Sequence, residues 1–439
     1  MGIEDCAPWD LDGRRVCASC VDDYALAAAL RDEHEPEPCD CCGATESASI
    51  GRLVDAVLAG WSHEYEPAIE HTPWDEGEYV FLGPHWDTLE LVDMWGGVFR
   101  ADGLADAVQD LLGFDNDPWV ERDALRLRPD EAMRDAWDQF REIVRHRTRY
   151  VFWNTPQEDD EEPGYISPAQ VLDRVGRLAV SLGLVRELLP TESIYRAQVE
   201  DDTATVWDAK RLGTAPRRFA TKTNRMSPAG VPMFYGALDP ATAAAEVRAY
   251  AGEGVVLRVG EFQSSRPVYV LDLTDLPEVP SLFDPERGGV RREVGFLHSF
   301  VKDLKARVDP DAAEIEYVPT QLMTEYFLQV FRPASTGGAG LAGIVYPSDQ
   351  ATGAALVLEF GNEQCFDDPS EAVAAKSAGI LLLRQSRVAA GVSPATVSVR
   401  MPAQLARSVK CPLDRFVKYV ASRRRRMVMP AHGQRGRSG

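Results

Sequence analysis

The stretch Arg225–Glu246 reads RMSPAGVPMFYGALDPATAAAE. It sets an arginine ahead of a Pro-Ala-Gly turn, then a short apolar run ending in Tyr235, then an alanine-rich segment carrying Glu246. Turn residues flanking a short apolar run predict turn, strand and helix in that order. About 100 residues on, Val345-Tyr346-Pro347-Ser348 ends a second apolar run on a serine. Arginine, tyrosine, glutamate and serine in this order suggest a site for an anionic nucleotide. A guanidinium holds phosphate in a bidentate fork. A tyrosine offers a flat face to a ring, and a carboxylate accepts sugar hydroxyls or steadies developing positive charge.

Around that stretch lie short β-rich runs at Ser193–Arg196, Phe234–Gly236, Gly254–Val259, Val268–Leu273, Gly343–Tyr346 and Ala355–Phe360. Helical spacing occupies about 240–250, 291–306 and 320–331. Pro319 is expected to stop an extended piece and Thr320 to cap the helix after it, with Glu and Tyr groups of 316–326 lining a pocket. The mixture predicts an α+β or α/β domain over 189–368. No GxGxxG follows a strand and no Walker A motif occurs, which argues against a Rossmann or P-loop nucleotide site.

The first 188 residues read differently. Apolar spacing predicts helices over 20–33, 48–60, Asp130–Tyr150 and Pro168–Leu184, with Asp130 as a cap and Met133, Trp137, Phe140 and Val144 on one face. Residues 61–100 read as irregular structure or short helices, and Pro156–Gly164 as an acidic loop. Six of the eight cysteines lie in the first 42 residues. Cys17-x2-Cys20 and Cys39-x2-Cys42, 18 residues apart, supply four thiolates for a structural zinc knuckle over about 15–45, with Gly43 permitting the turn after the second pair. Cys41 competes with the chosen four, and Cys6 is spare.

At 439 residues the chain predicts two or three domains. Its net charge of −22 divides unevenly. From Glu371 onward 14 Lys and Arg face 2 Asp and Glu, a net of +12, so residues 1–370 carry −22 − 12 = −34. Such a body disfavours nucleic acid as a partner. The basic stretch over 369–439, with Arg423 to Arg426, reads as a solvated extension, partly disordered. No apolar run is long enough to span a bilayer, and the acidic N-terminus lacks a signal-peptide core, so a cytoplasmic location is expected.

The second half resembles the RES domain family, named for an arginine, a glutamate and a serine. The resemblance rests on Tyr195-Arg196, on Arg225 before the Gly-Val-Pro turn, on Phe234-Tyr235, on Glu246 and on Ser348 in the Tyr-Pro-Ser segment. The first 185 residues are similar to the HEPN/RES N-terminal domain found ahead of it, in their cysteine pairs and in the helix ending at Arg149-Tyr150-Val151-Phe152. The spacing from Glu246 to Ser348 is longer than in compact toxins of that family, and Asp349 stands where small or polar residues are commoner.

The resemblance implies an ADP-ribosyltransferase-like mixed sheet and a toxin that takes NAD as substrate, held in check by an antitoxin protein. Self-association into a homo-oligomer stays open. It further implies that Glu246 holds the nicotinamide ribose and Tyr235 flanks the ring, that Arg225 grips the pyrophosphate, that Arg196 is a second phosphate ligand and that Ser348 orients the ribose or amide. Two other readings remain. Arg141-x4-His146 resembles the pair used by HEPN ribonucleases. A non-catalytic, zinc-containing interaction protein would carry no pocket joining Arg225, Tyr235, Glu246 and Ser348.

Overall fold

The computed structural model describes residues 13–389 apart from 69–73, 76–77, 80, 82, 113–117, 124–125, 155–163, 201–206, 252–254 and 375–379. Cys6 and Arg423–Arg426 lie outside the described residues. The architecture is α+β: a mainly helical first half, then a large mixed sheet.

In the first half α1 (Tyr24–Asp32) begins where Asp23 Oδ1 accepts the N–H groups of Ala25 and Leu26 at 2.9 and 3.1 Å. Then come α2 (Ile50–Trp61), α3 (Thr88–Trp95), with Asp87 and Glu90 forming a capping box, and α4 (Leu104–Leu112). Their apolar faces meet in one core around Leu26, Leu53, Trp61, Leu91 and Val108. Leu282 and Phe283 of the second half enter the same core. A side chain at Gly60 would collide with Phe283, so glycine there is what lets that segment dock.

Next is α5 (Pro129–His146), followed by α6 (Val171–Ser181). Both are shorter than the spacing predicts. Pro129 opens α5 rather than preceding it, because a proline's fixed φ and missing N–H suit the first helical turn. Asp130 therefore sits inside the first turn and caps nothing; its charge faces the positive end of the helix.

Among its described residues the second half holds a nine-stranded sheet. Its strands in chain order are β1 (Val185–Leu188), β2 (Ile194–Val199), β3 (Phe234–Ala237), β4 (Leu257–Ser264), β5 (Val268–Asp272), β6 (Gly343–Pro347), β7 (Ala354–Leu358), β8 (Cys365–Phe366) and β9 (Leu381–Ala389). Their spatial order is β8–β9–β4–β2–β3–β7–β6–β5–β1, antiparallel except for the pairs β5/β6 and β8/β9. β1 and β9 carry the sheet past both ends of the 189–368 span. Between the strands lie α7 (Pro240–Ala251), α8 (Arg291–Leu304) and α9 (Val318–Glu325), the last continuing as a π turn over Tyr326–Val330. Pro319 lies within the first turn of α9, and the Thr320 side chain bonds to the carbonyls of Tyr317 and Arg225 instead of capping it.

Alternation sends Phe234, Val345 and Leu356 to one face of the sheet and Tyr235, Ile344 and Val357 to the other. The second face packs on α5, α6, α8 and α9, burying Trp137, Phe140, Phe296, Phe300, Met323 and Phe327. Each such side chain contributes about 1.5–3 kcal/mol of burial. The two halves thus share one core, and α5 of the first half forms part of the layer against the sheet.

Candidate active site

A cavity of about 720 Å³ opens on the Tyr235 face of the sheet, between α7 and the segment Thr221–Arg225. Arg225, Tyr235, Glu246 and Arg196 all line it, and Ser348 meets Glu246 at its wall. The sequence stretch quoted first supplies three of these groups because β3 and α7 are consecutive and the turn between them is tight. Asp239 Oδ1 accepts the N–H of Thr242 at 2.8 Å, which starts α7 directly over the end of β3. Glu246 and Tyr250, four residues apart, then fall on the same helical face, toward the cavity.

Ser348 leaves β6 into a tight loop. Its Oγ accepts the N–H groups of Gln350 and Ala351 at 3.0 and 3.1 Å, and its own N–H reaches the Gly353 carbonyl at 3.0 Å. With both acceptor positions filled, the hydroxyl proton is left to donate, and it goes to Glu246 Oε1 at 2.5 Å. Burial raises the Glu246 carboxyl above the ordinary glutamate range; the Ser348 hydrogen bond and the Arg225 charge pull it down, and the Asp349 charge pushes it up.

Arg225 is half committed. Its Nη1 donates to the carbonyls of Leu304 (2.6 Å) and Ala306 (2.9 Å) at the end of α8. Its Nη2 stands 3.8 Å from Asp349, and its plane lies over Tyr317. Arg196 occupies the gap where β2 and β3 part after their single paired position, Tyr195 with Ala237. It donates Nη1 to the Tyr235 carbonyl at 2.6 Å in place of a ladder bond, while its buried Nε has no hydrogen-bond partner among the described residues. Burial lowers the Arg196 pKa and pushes the Tyr235 hydroxyl up to about 12, with Ser227 Oγ 2.8 Å away.

Lys222, Tyr250 and Lys305 line the cavity and were not singled out from sequence. Lys222 and Lys305 add cations, and Tyr250, Tyr317 and Tyr346 add rings. Tyr317 lay in the segment expected to line a pocket, whereas Glu316 instead pairs with Arg145 at 2.8 Å. Tyr250 was legible as the i+4 neighbour of Glu246; Lys222 and Lys305 had no signal in the chain order. Four cations, Arg196, Lys222, Arg225 and Lys305, face two carboxylates, Glu246 and Asp349. A cavity with positive excess in a strongly acidic body suits an anionic ligand with flat rings.

In the first half Cys17, Cys20, Cys39 and Cys42 bring their sulfurs within 4.8 Å of one another. Cys17 Sγ lies 3.7 Å from Cys20 Sγ and 3.4 Å from Cys42 Sγ, and Cys20 Sγ lies 3.7 Å from Cys39 Sγ. A tetrahedron with metal–sulfur bonds of about 2.3 Å has edges of about 3.8 Å, so the four fit a thiolate-bound metal. Cys41 is exposed and stays outside the four. By contrast Arg141 and His146 do not form a basic pair. Arg141 faces Asp138 and Asp303, and His146 is exposed beside Glu142.

Two family models match the chain: HEPN/RES N-terminal domain 1 over residues 32–158 and the RES domain over residues 194–377. Residues 194–377 are a RES domain. The RES domain therefore contains the whole cavity wall formed by β2, β3, α7 and the Ser348 loop. No curated protein matches the chain. Among solved structures, the crystal structure of the M. tuberculosis MbcT-MbcA toxin-antitoxin complex is similar at 19% identity and a TM-score of 0.25, over 50% of this chain and 93% of that one. No helix among the described residues is long and apolar enough to cross a membrane.

Proposed function

We propose that the RES domain cleaves the nicotinamide glycosidic bond of NAD, as a toxin restrained by an antitoxin protein in the cytoplasm. The observation that carries this reading is the Ser348–Glu246 hydrogen bond at the wall of a cavity rich in cations and tyrosines. Nicotinamide is a good leaving group: the bond from its ring nitrogen to the ribose breaks, the electron pair returns to the ring, and the base departs neutral. What the site must supply is stabilisation of the oxocarbenium-like ribosyl centre. Ionised Glu246 does this, with one carboxylate oxygen fixed by Ser348 and the other left for the ribose hydroxyls. Tyr235 flanks the ring, and the free edge of Arg225 with Arg196 and Lys222 meets the pyrophosphate. Water, phosphate or a protein side chain forms the new bond to the ribosyl carbon.

The four cysteines would hold a structural zinc, their thiolates filling its four positions and leaving none for catalysis. The interaction-protein reading required the four site residues to be scattered, and their convergence disfavours it. The carboxylates around Arg141 and His146 disfavour RNA cleavage by that pair.

The test is nicotinamide release from NAD by the purified chain. Glu246→Gln is expected to reduce it by about 10²–10⁴-fold, and Arg225→Ala to weaken it as well. Equal release by the wild type and Glu246→Gln, or none from either, overturns the reading.

A further inference from the structure

Helix α8 runs from the first half of the molecule to the cavity. At its start Arg291 Nη1 lies 3.3 Å from Glu64 Oε1, and Arg292 Nη2 donates to Glu64 Oε2. Glu64 belongs to the turn after α2, and its side chain is only 6% exposed. Arg292 also faces Asp130, at the start of α5, at 3.7 Å. At its end Asp303 Oδ2 accepts Trp137 Nε1–H at 3.3 Å and lies 3.5 Å from Arg141 Nη1, both on α5. The next residues, Leu304 and Ala306, present the two carbonyls that hold Arg225 Nη1. Between the two ends Phe296 and Phe300 are buried against Trp137 and Phe140.

We infer that the first half is a positioning device for the site: Glu64, Trp137 and Arg141 fix helix α8, and α8 fixes Arg225. The physical argument is rigidity. Fourteen helical residues span about 21 Å, and a helix clamped by ion pairs at one end and by packing along its length moves as a unit. Among the described residues the Arg225 guanidinium sends its hydrogen bonds to the α8 terminus, with Asp349 at 3.8 Å and the Tyr317 ring as its other neighbours, so a shift of Leu304 and Ala306 moves its fork. The segment Thr223–Ser227 is pinned from the same side: Gln321 Nε2 donates to Thr223 Oγ1 at 2.9 Å and to the Asn224 carbonyl at 2.8 Å. α9, which bears Gln321, packs on α5 as well. Arg141, which fitted no ribonuclease pair, has its place here.

The catalytic meaning of this inference rests on the NAD reading above, but its mechanical content does not. Two full-length variants of residues that do not line the cavity test it: Glu64→Gln, which keeps shape and removes the charge, and Asp303→Ala, with Asp303→Asn as the conservative control. Amide exchange across Thr223–Ser227 is expected to quicken about threefold or more in Glu64→Gln and Asp303→Ala. ADP-ribose, as a probe ligand in calorimetry, is expected to bind about three- to tenfold more weakly. KM for NAD should rise by a similar factor with kcat changed less, since Arg225 holds the ligand rather than the reacting bond. Asp303→Asn, which still accepts from Trp137, should recover part of the loss. Unchanged exchange at Thr223–Ser227 and unchanged ADP-ribose affinity in both variants overturn the inference. A wild type that releases no nicotinamide defeats the NAD reading alone, because the exchange measurement still decides this one. Should Glu64→Gln fail to fold, Asp303→Ala and Asp303→Asn carry the test.

Discussion

Glu246 draws on two opposing influences, and pH separates them. Burial raises its pKa above 4.5, so the folded protein holds that proton more tightly than the unfolded chain does. Its contribution to stability is therefore full below about 4.5 and is lost as the pH rises through the folded value. Activity runs the other way, because the proposed chemistry needs the carboxylate. The acid limb of kcat/KM for NAD is expected above 4.5 and to be absent from the residual rate of Glu246→Gln; a pH series on both proteins checks it. Tyr235, with its hydroxyl pushed up to about 12, is neutral at physiological pH and offers a ring and a hydrogen bond rather than a base. Tyr235→Phe keeps the ring and loses the hydroxyl's bonds to Ser227 and the Met226 backbone, so its nicotinamide release should fall by less than about tenfold, whereas Tyr235→Ala should fall further.

The loop after β6 works as an element. Ser348 is placed by the Gly353 carbonyl and by two backbone N–H groups, and Gly353 lies hard against Asp239 and Thr242 at the start of α7. A Cβ at Gly353 would collide with both of those side chains. Gly353→Ala is thus expected to push the Ser348 loop away from Glu246 and to lower kcat without either residue being changed; steady-state kinetics beside a melting curve separate that from simple unfolding. The same region shows what was legible. The order strand, helix, strand could be read from the chain, since it follows turn signals and helical spacing, and the resemblance to the RES family picked out Tyr235, Glu246 and Ser348. Arg196 filling a gap between two strands could not, because strand divergence depends on pairing with β4 and β7. Nor could the true starts of α5 and α9: Pro129 and Pro319 fit inside a first turn as readily as before one, and tertiary contacts decide which.

At the scale of the whole molecule the two halves fold around shared apolar groups. Phe300, 1% exposed, sits between α5 and the sheet, and Phe300→Ala should cost about 3–5 kcal/mol. Denaturant unfolding of that variant, followed by a far-ultraviolet signal and by tryptophan emission from the first half, should shift in both probes together. Three of the four cysteines, Cys17, Cys20 and Cys39, lie in the core that also receives Leu282 and Phe283, with Cys42 exposed at its edge. Removal of metal by a strong chelator should lower the thermal midpoint, and Cys39→Ser should reproduce the fall without chelator. A calorimetric trace unchanged by both would leave the cysteines without a metal.

Composition, turn chemistry and local periodicity gave the class of fold and the four sulfurs, since each depends on residues close together along the chain, while the side chains proposed for the site came from the resemblance to the RES family. What only the folded structure decided was how those side chains are held: Arg225 by the end of a helix some 80 residues away, Glu246 by a serine 102 residues away, and both halves by one set of buried rings. Contacts of that reach arise from packing, whose free energy depends on surfaces that do not exist until the chain has closed on itself.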